Sequence, residues 1–382
     1  MPQQHAPVPE VELAVSLAAE AKLAEPGCPC PAAVGFHGLG QKLLFQAERR
    51  YAELDGRRLV LRPETTRGLP AQGFTAMTFF GDWPASAWAQ LREDDSWDSG
   101  DTQGALYRWE KDHWRRVKAT EADEQYGPWY RGDGSIGAIV HSFGGGYSAQ
   151  SVILPLDPQS KAPVPRLARR ADGGQRLFVL ASTSLPTGHL FVLGNDSQNP
   201  RRDIPCVERF SPGAETGTLE ALPLPPQPPP RLEWRSLAAR SPNDAYVAGV
   251  LADPPEHMGP TVSYLAHFDG TTWSLLDVPA GLWGPEVSVA EDGTLWILND
   301  TPDANPALSV AFSSQLLRRA PSGDWAQVRL RTPSGPVGAD VIISHVFVHG
   351  SVVWFAGFTK AQRDRVLVWT TAPMDAMLTI PP

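Results

Sequence analysis

Carboxylate and amide side chains concentrate in four separate stretches of the sequence, and each stretch follows a short apolar segment. Carboxylate and amide oxygens are the ligands that Ca²⁺ prefers, and the same groups hydrogen-bond sugar hydroxyls. If the fold brings the stretches to one face, they predict a polar binding surface. The candidate binding residues are Asp94, Asp95, Asp98 and Asp101 in the first stretch, Asp196 in the second, Asp253, Glu256 and His257 in the third, and Asp300 and Asp303 in the fourth.

The cysteines offer a second, smaller candidate site. Cys28 and Cys30 are too close in sequence for an ordinary disulfide, and one such pair falls short of the four ligands of a structural zinc site. His37 follows seven residues after Cys30 and supplies a third ligand. Cys28, Cys30 and His37 are therefore the candidate metal ligands. A disulfide from Cys206 to Cys28 or Cys30 is the alternative, and it would indicate an oxidising compartment.

Sequence signatures of enzymes are absent. The chain contains no HExxH, no GxSxG, no P-loop and no dinucleotide-binding fingerprint after a strand. A glycosidase needs two carboxylates about 5 to 10 Å apart. The acidic stretches contain enough carboxylates, but the sequence does not show that any two of them converge. The absence of these motifs favours a protein without catalytic activity.

The elements that must position these residues recur at a fixed interval. Residues 105–114, 264–273 and 315–325 each contain an apolar strand, a tight polar turn and a Trp that opens the next strand. Trp325 follows Trp273 by 52 residues, and Trp273 follows Trp114 by 159 residues, or three times 53. A period near 50 made of short strands is typical of a β-propeller.

Extending this period over the chain predicts the number of units. Steps of about 53 residues from the three Trp residues lead to apolar segments at Leu61, Leu167, Leu219 and Leu378. A further apolar strand, such as residues 245–249 or 352–356, precedes each of these positions. The predicted fold is all-β, a seven-bladed β-propeller with four antiparallel strands per blade, with six or eight blades as the range. Residues 32–382 form the propeller, and residues 1–31 form an N-terminal segment.

Two expectations follow from this blade pattern. The acidic stretches fall between the second and third strands of their blades, at the face where propellers usually bind ligands. The chain ends on an outer strand, residues 378–380, so the last blade is expected to be complete without the N-terminus. Val11 to Leu17 then provides either the first strand of the first blade or a strand that latches the ring.

Composition limits the class of partner and the compartment. The formal net charge of −9 argues against nucleic-acid binding, which needs a basic surface. No stretch of 18 apolar residues is present, so no transmembrane segment is expected. No signal peptide is visible. Abundant Ala, Arg and Pro favour a bacterial source, and an exported location is favoured if the sequence is a mature chain.

The hairpin at residues 264–273 is similar to a motif of known propellers. Asp269, Gly270 and Trp273 resemble the Asp box of sialidase-like propellers, although the full spacing of that box is not kept. Gly144 to Tyr147 resembles a single kelch element. As a whole, residues 32–382 resemble divergent bacterial repeat propellers that are often exported or displayed at the cell surface. In sialidase-like propellers the Asp box is a folding element, so the resemblance implies architecture and leaves activity open.

Three functional hypotheses remain at this point. The leading one is a non-catalytic binding or scaffold propeller that contacts a protein partner or a polysaccharide through its acidic loops. The second is a propeller hydrolase that acts on glycans or esters, with carboxylates or Ca²⁺ at the channel mouth. The third is an architectural subunit of a larger assembly.

Overall fold

A computed structural model describes most of the strands and the shorter connections of the chain. Its residues cluster into two compact units, of which unit 1 contains Met1–Glu12, Gly127–His141 and Ala149–Arg329, and unit 2 contains Leu13–Tyr126, Ser142–Ser148 and Leu330–Pro382. The structure describes residues 8–23, 34–39, 42–47, 50–62, 67–70, 74–82, 86–93, 104–120, 124–130, 136–142, 150–156, 177–196, 204–212, 220–222, 232–251, 263–279, 285–302 and 312–380.

All regular elements in these ranges are strands. The first thirteen are β1 (Glu10–Ala14), β2 (Ser16–Lys22), β3 (Val34–Leu39), β4 (Lys42–Ala47), β5 (Arg50–Asp55), β6 (Arg58–Leu61), β7 (Phe74–Asp82), β8 (Ser86–Glu93), β9 (Gly104–Glu110), β10 (His113–Thr120), β11 (Glu124–Tyr130), β12 (Ile136–Ser142) and β13 (Gln150–Pro155). The others are β14 (Leu177–Ser184), β15 (Leu190–Asp196), β16 (Ile204–Phe210), β17 (Glu220–Leu222), β18 (Leu232–Ser241), β19 (Asp244–Leu251), β20 (Ser263–Phe268), β21 (Trp273–Leu275), β22 (Pro285–Val289), β23 (Leu295–Pro302), β24 (Phe312–Arg319), β25 (Trp325–Thr332), β26 (Gly335–Pro336), β27 (Val341–His349), β28 (Val352–Thr359), β29 (Gln362–Thr370) and β30 (Leu378–Ile380).

These strands form the blades of an all-β propeller. Within the described residues, six sheets contain at least four strands, and each is built on an antiparallel meander in chain order. A further sheet, β11-β12-β13, has three strands there. Six four-stranded blades agree with the lower limit of the predicted range, and the expectation of seven is not confirmed. Within the part of the chain that the structure describes, no helix is long and apolar enough to cross a membrane.

The burial of each strand follows from its place in the blade. In β4 five of six residues are buried, and in β28 five consecutive residues are buried, so these second strands are covered on both faces. Outer strands such as β25 alternate between buried and exposed side chains, as a half-covered strand should. The continuous apolar runs and the alternating runs of the sequence therefore report the position of a strand within its blade.

The predicted period locates the last strands of the blades. Leu61, Trp114 and Trp273 lie in β6, β10 and β21, Trp325 opens β25, and Leu378 opens β30. Trp273 belongs to a cluster of buried side chains that also contains residues of the β14–β17 blade. Trp114 belongs to a cluster that it shares with residues of the β3–β6 blade. These two blades thus bury an apolar face against the blade that precedes them in the same unit.

The N-terminal residues add strands to two of the sheets. β1 pairs with β25, where the Gln327 amide donates to the Pro9 carbonyl at 2.9 Å. β2 lies between β29, to which it is antiparallel, and β30, to which it is parallel. The expectation that the last blade is complete without the N-terminus is therefore wrong. The four alternating apolar residues between Val11 and Leu17 do not show which free strand edge this segment pairs with.

The small side chains of β2 explain why this strand fits between two others. Ala18, Ala19 and Ala21 are fully buried, so β2 occupies the core of the sheet although its sequence is short and unremarkable in hydrophobicity. Lys22, at the end of the strand, is exposed. β2 is thus held by two rows of backbone hydrogen bonds and by tight packing of methyl groups.

We expect Ala19→Glu to lower the free energy of unfolding by more than about 3 kcal/mol, because it places an unpaired charge in a fully buried position. Lys22→Glu introduces the same residue on the same strand at an exposed position and should change stability by less than about 0.5 kcal/mol. Urea unfolding measures both. Equal stability of the two variants would show that β2 does not hold this position in solution.

Candidate functional site

The two ends of each blade differ in how the chain turns. In the β18–β21 blade, the turns from β18 to β19 and from β20 to β21 lie at one end, which we call the turn end. The connection from β19 to β20 leaves from the opposite end, which we call the loop end. In unit 1 the first two strands of a blade are joined by the tight turns 185–189, 242–243 and 290–294. The loop-end connections 197–203, 252–262 and 303–311 are longer.

In unit 2 only one blade has a long connection between its second and third strands. The connection 94–103 between β8 and β9 is long, whereas 48–49 and 360–361 join the second and third strands of their blades by two residues. Of the long loop-end connections, 94–103 contains four carboxylates, 252–262 contains two, and 197–203 and 303–311 contain one each. This selective lengthening is the feature expected of a binding surface carried on a rigid scaffold.

The predicted binding residues map to these loop ends in part. Asp196 is the last residue of β15, and Asp300 lies near the end of β23, where it pairs in register with Ser314. Asp300 was predicted in the connection, but β23 extends to Pro302. The remaining candidates lie outside the described residues, so their convergence stays a prediction; they are Asp94, Asp95, Asp98, Asp101, Asp253, Glu256, His257 and Asp303.

The loop ends of neighbouring blades are fixed to each other in unit 1. The Ser236 hydroxyl on β18 donates to the Pro285 carbonyl at 2.9 Å and accepts from the Val287 amide at 3.0 Å. One side chain therefore joins the first strands of two consecutive blades. Asn299, three residues before the end of β23, is fully buried beside this junction in register with Pro285. The strands that carry the acidic connections thus have fixed positions within the unit.

An aromatic row crosses the loop end of the β18–β21 blade. Trp234 pairs in register with Gly249, which pairs in register with Tyr264. Residues directly opposite one another in an antiparallel sheet share one face. The Trp234 and Tyr264 rings meet over the glycine edge to face, with their centroids 5.5 Å apart and an interplanar angle of 80°.

A polar network of four side chains lies at the turn end of the same blade. Asp244 Oδ1 accepts from His267 Nε2 at 2.8 Å, and Asp244 Oδ2 accepts from Arg240 Nε at 2.6 Å. Tyr246 stacks on the His267 ring at a centroid distance of 4.5 Å. Arg240 Nη1 also donates to the Glu291 carbonyl of the next blade at 3.0 Å. Sequence reasoning missed this network, because its members appear as ordinary turn and strand residues.

The electrostatics of the network favour a structural role. Burial raises the pKa of the Asp244 carboxyl, but hydrogen bonds from His267 and Arg240 outweigh burial and hold it below its usual value. Burial, followed by the neighbouring Asp244 carboxylate, raises the pKa of Tyr246 to about 12. Asp244 is therefore ionised, with both oxygens engaged by cationic or polar donors. A His–Asp pair in a catalytic site also needs a nucleophile against the other histidine nitrogen, and no such bond is seen among the described residues.

The adjacent turn shows why the sequence requires Asp and Gly there. Asp269 Oδ1 accepts from the amides of Thr271 and Thr272 at 2.9 and 2.8 Å. Gly270 has a φ of +97°, and a Cβ there would lie 2.7 Å from the Asn243 Cβ in the neighbouring turn. The geometry of this hairpin is fixed by local hydrogen bonds and by close packing of two turns, which accords with a folding role.

His37, a predicted metal ligand, lies on β3 with both ring nitrogens engaged. Its Nδ1 accepts from the Phe79 amide at 3.4 Å, so its Nε2 carries the proton and donates to Gln46 Oε1 at 2.9 Å. The pKa of His37 is lowered to about 4, because burial and, to a lesser extent, the charge of His345 outweigh the Gln46 hydrogen bond that raises it. His37 is neutral at neutral pH, and binding a metal would require it to break one of these bonds.

The metal prediction is otherwise untested, because Cys28 and Cys30 lie outside the described residues. In the described parts of the chain, no group of three or more His, Cys, Asp or Glu side chains is placed to hold a metal ion. Cys206 lies on β16 as a thiol and packs against a cluster that contains Trp129 and Phe210.

Comparison with known proteins finds similarity at the level of fold. No protein-family model matches the chain, and no curated protein matches it. The β-propeller domain of the trilobed protease from Pyrococcus furiosus is 10% identical, with a TM-score of 0.45 over 90% of this chain and 99% of that one. A GH74 xyloglucanase from Xanthomonas campestris is 14% identical, with a TM-score of 0.46 over 88% of this chain and 53% of that one. An α-L-arabinofuranosidase of Fusarium graminearum is 9% identical, with a TM-score of 0.44 over 93% of this chain and 97% of that one.

We expect Asp244→Asn to lower the free energy of unfolding by about 2 kcal/mol, because the charge that holds Arg240 and His267 is lost from a buried position. Asp292→Asn is the matched control, since Asp292 Oδ1 accepts from the Thr294 amide at 2.8 Å and an Asn oxygen preserves that bond. Urea unfolding at neutral pH compares the two. If Asp244→Asn is as stable as Asp292→Asn, the network does not stabilise the blade.

The buried His37 predicts a pH dependence of stability. Its pKa in the folded chain is below that of the unfolded chain, so the unfolded chain binds more protons between these values. The contribution of His37 is complete above pH 6.5 and is lost as the pH falls towards 4, by about 1 to 3 kcal/mol. His37→Gln should remove this part of the pH dependence, measured as the difference in unfolding free energy between pH 7 and pH 4.5. An unchanged difference would contradict the assignment.

Proposed function

We propose that this chain is a non-catalytic binding or scaffold propeller whose loop ends contact a partner, either a protein or a polysaccharide. The observation that carries the proposal is the difference between the two ends of the blades. Hydrogen-bonded turns close the turn end, and long connections that each contain at least one carboxylate leave the loop end in the β7–β10, β14–β17, β18–β21 and β22–β25 blades.

The turn end is a poor candidate for binding because its polar groups already have partners. Asp244, Arg240, His267 and Asp269 engage each other or the backbone. At the loop end, strands with fixed positions carry connections that differ in length from blade to blade. The Ser236 bridge holds the first strands of the β18–β21 and β22–β25 blades together, so carboxylates carried by 252–262 and 303–311 start from anchored positions.

A hydrolase remains the alternative function, and the test must distinguish it from a binding protein without catalytic activity. A glycan hydrolase would use two of the same loop-end carboxylates, and an esterase would need a nucleophile beside a base. The His–Asp pair that is best placed among the described residues lies at the turn end of its blade, away from the acidic connections. The proposal therefore assigns the loop-end carboxylates to binding.

A pair of charge-reversal variants tests the proposal. Asp253→Lys with Asp303→Lys changes two loop-end connections, and we expect it to weaken partner capture about tenfold, or by ~1.4 kcal/mol, because like charges then face the complementary surface. The melting temperature should stay nearly unchanged. The immobilised chain is exposed to a cell extract, and retained proteins and sugars are quantified by mass spectrometry and sugar analysis.

Glu291→Lys with Asp324→Lys is the matched control, because both residues are exposed at the turn end and the net charge changes equally. This control should capture the same material as the unmodified chain. Capture that is equal for the two double variants would refute a loop-end site. Release of reducing ends or acids from glycan or ester substrates, assayed with and without a chelator, would replace the proposal with the hydrolase.

A further inference from the structure

The outer strand of the β7–β10 blade has an unpaired edge that is longer than those of other blades. β10 contains eight residues, whereas the outer strands β6, β17 and β21 contain four, three and three. In the described parts of the chain, no strand pairs with β10 on the side away from β9. A free edge presents amide and carbonyl groups with which another strand can pair. This edge is therefore a candidate surface for another chain.

The middle of β10 is exposed on both faces of its sheet. Arg115, Arg116, Val117 and Lys118 are four consecutive exposed residues, and 44% of Val117 is exposed. Neighbouring residues of a strand point to opposite faces, so neither face of β10 is covered at this point. A partner strand could therefore reach the backbone of β10 without displacing another part of the described structure.

The backbone of β10 already forms an outward hydrogen bond at one residue. The Trp114 amide donates to the Arg67 carbonyl at 2.8 Å. Backbone groups of alternate residues point to the same edge of a strand, so the Arg116 amide also points outward. The register with β9 shifts only after Arg116, between this residue and Lys118. Outside the strand ladders, no described carbonyl accepts from the Arg116 amide, so the edge is open there.

The β9–β10 hairpin is basic, although the whole chain has a net charge of −9. The hairpin contains five Lys or Arg side chains and two carboxylates. Glu110 pairs with Arg115 at 2.6 Å, near the turn. Asp112, within the turn, pairs with Arg67 at 2.7 Å. Arg116 forms no ion pair with a described residue, so the free edge presents positive charge to a partner.

Two other strands of this chain show what such an edge binds. The eight-residue strand β25 pairs with β1, and Arg329 Nη2 donates to Glu10 Oε1 at 2.8 Å. β29 pairs with β2, and Arg365 Nη1 donates to Glu20 Oε1 at 2.9 Å. In both cases a long strand that carries arginine receives an extended segment that carries glutamate. β10 is a third long strand of this kind, and no described segment pairs with its outer edge.

We propose that the outer edge of β10, from Arg115 to Thr120, binds an extended acidic segment of a partner protein by strand addition. The backbone of the segment accepts from the Arg116 amide, and its carboxylates lie beside the exposed basic side chains. The same charges oppose pairing between the edges of two copies, because like charges would then meet. The surface is the edge of a blade and not a loop end, so the inference goes beyond the proposed function.

The β1 segment provides the probe for this edge. A fluorescently labelled peptide has the sequence of residues 8–15, which contains Glu10 and Glu12. With the full chain, fluorescence anisotropy should show saturable binding with a dissociation constant below about 1 mM. Arg116→Glu should weaken this binding about tenfold, because a carboxylate of the peptide then meets a like charge. Backbone pairing should slow the hydrogen exchange of residues 115–120 in the complex.

Three controls separate charge, position and backbone pairing. Lys22→Glu changes the net charge equally at an exposed residue of β2 and should leave peptide binding unchanged. A peptide with lysine in place of both glutamates should not bind. Arg116→Gln removes the charge alone, whereas Arg116→Pro also removes the outward amide, a change that an edge strand tolerates. Arg116→Pro should therefore bind the acidic peptide more weakly than Arg116→Gln.

Several results would overturn the proposal. Absence of saturable binding, or equal binding by Arg116→Glu and the unmodified chain, would show that the edge does not bind an acidic segment. Weaker binding by Arg116→Glu without slower exchange in residues 115–120 would show attraction between charges without strand addition. Tighter binding of polygalacturonate than of the peptide would identify an anionic polysaccharide as the ligand instead. Self-association of Arg116→Glu, with no peptide bound by the unmodified chain, would show that the charges only protect the edge.

Discussion

The burial of each blade against its neighbour is the constraint on which the rest of the structure depends. A sheet of four short strands cannot cover its own faces, so a second strand such as β4 is buried only because other blades of the same unit pack against it. The clusters around Trp273 and Trp114 show this packing directly, because each contains buried side chains from two neighbouring blades. The faces of these blades are therefore buried by packing, and the ends and free outer edges of the blades are the parts that can bind a partner. One end is in turn occupied by the hydrogen bonds of Asp244, Arg240 and Asp269.

Much of the architecture could be predicted because buried strands require apolar residues that recur at regular intervals in the sequence. Trp114, Trp273 and Leu378 recur at a fixed interval because each blade has one outer strand that packs in the same way. Continuous apolar runs identify second strands for the same reason. The blade number was harder, because the count of four strands depends on short segments such as β17, with three residues and no distinctive composition.

The sites were less predictable because they depend on contacts between distant residues. The Asp244–His267 pair spans 23 residues and exists because Tyr246 and His267 are opposite each other in the register of β19 and β20. The Trp234–Tyr264 contact depends in the same way on Gly249. Composition did identify the acidic connections and their place after second strands, but not Asp300, which belongs to the strand itself. The hydrogen bonds that keep His37 neutral come from Gln46 and from the Phe79 amide, and nothing in the sequence near His37 indicates them.

The position of β2 has a consequence for how the chain reaches its fold. The sheet β27-β28-β29-β2-β30 contains residues 16–22 beside residues 378–380, one of the largest sequence separations that the chain allows. During synthesis β2 leaves the ribosome well before β29 and β30, the strands with which it pairs. The sheet can be completed only after residues 362–380 have been translated, so its closure is slow because of this long-range pairing. A fragment that ends before residue 362 lacks both strands that pair with β2 and leaves the edge of β28 unpaired, so such fragments can pair with one another through these edges.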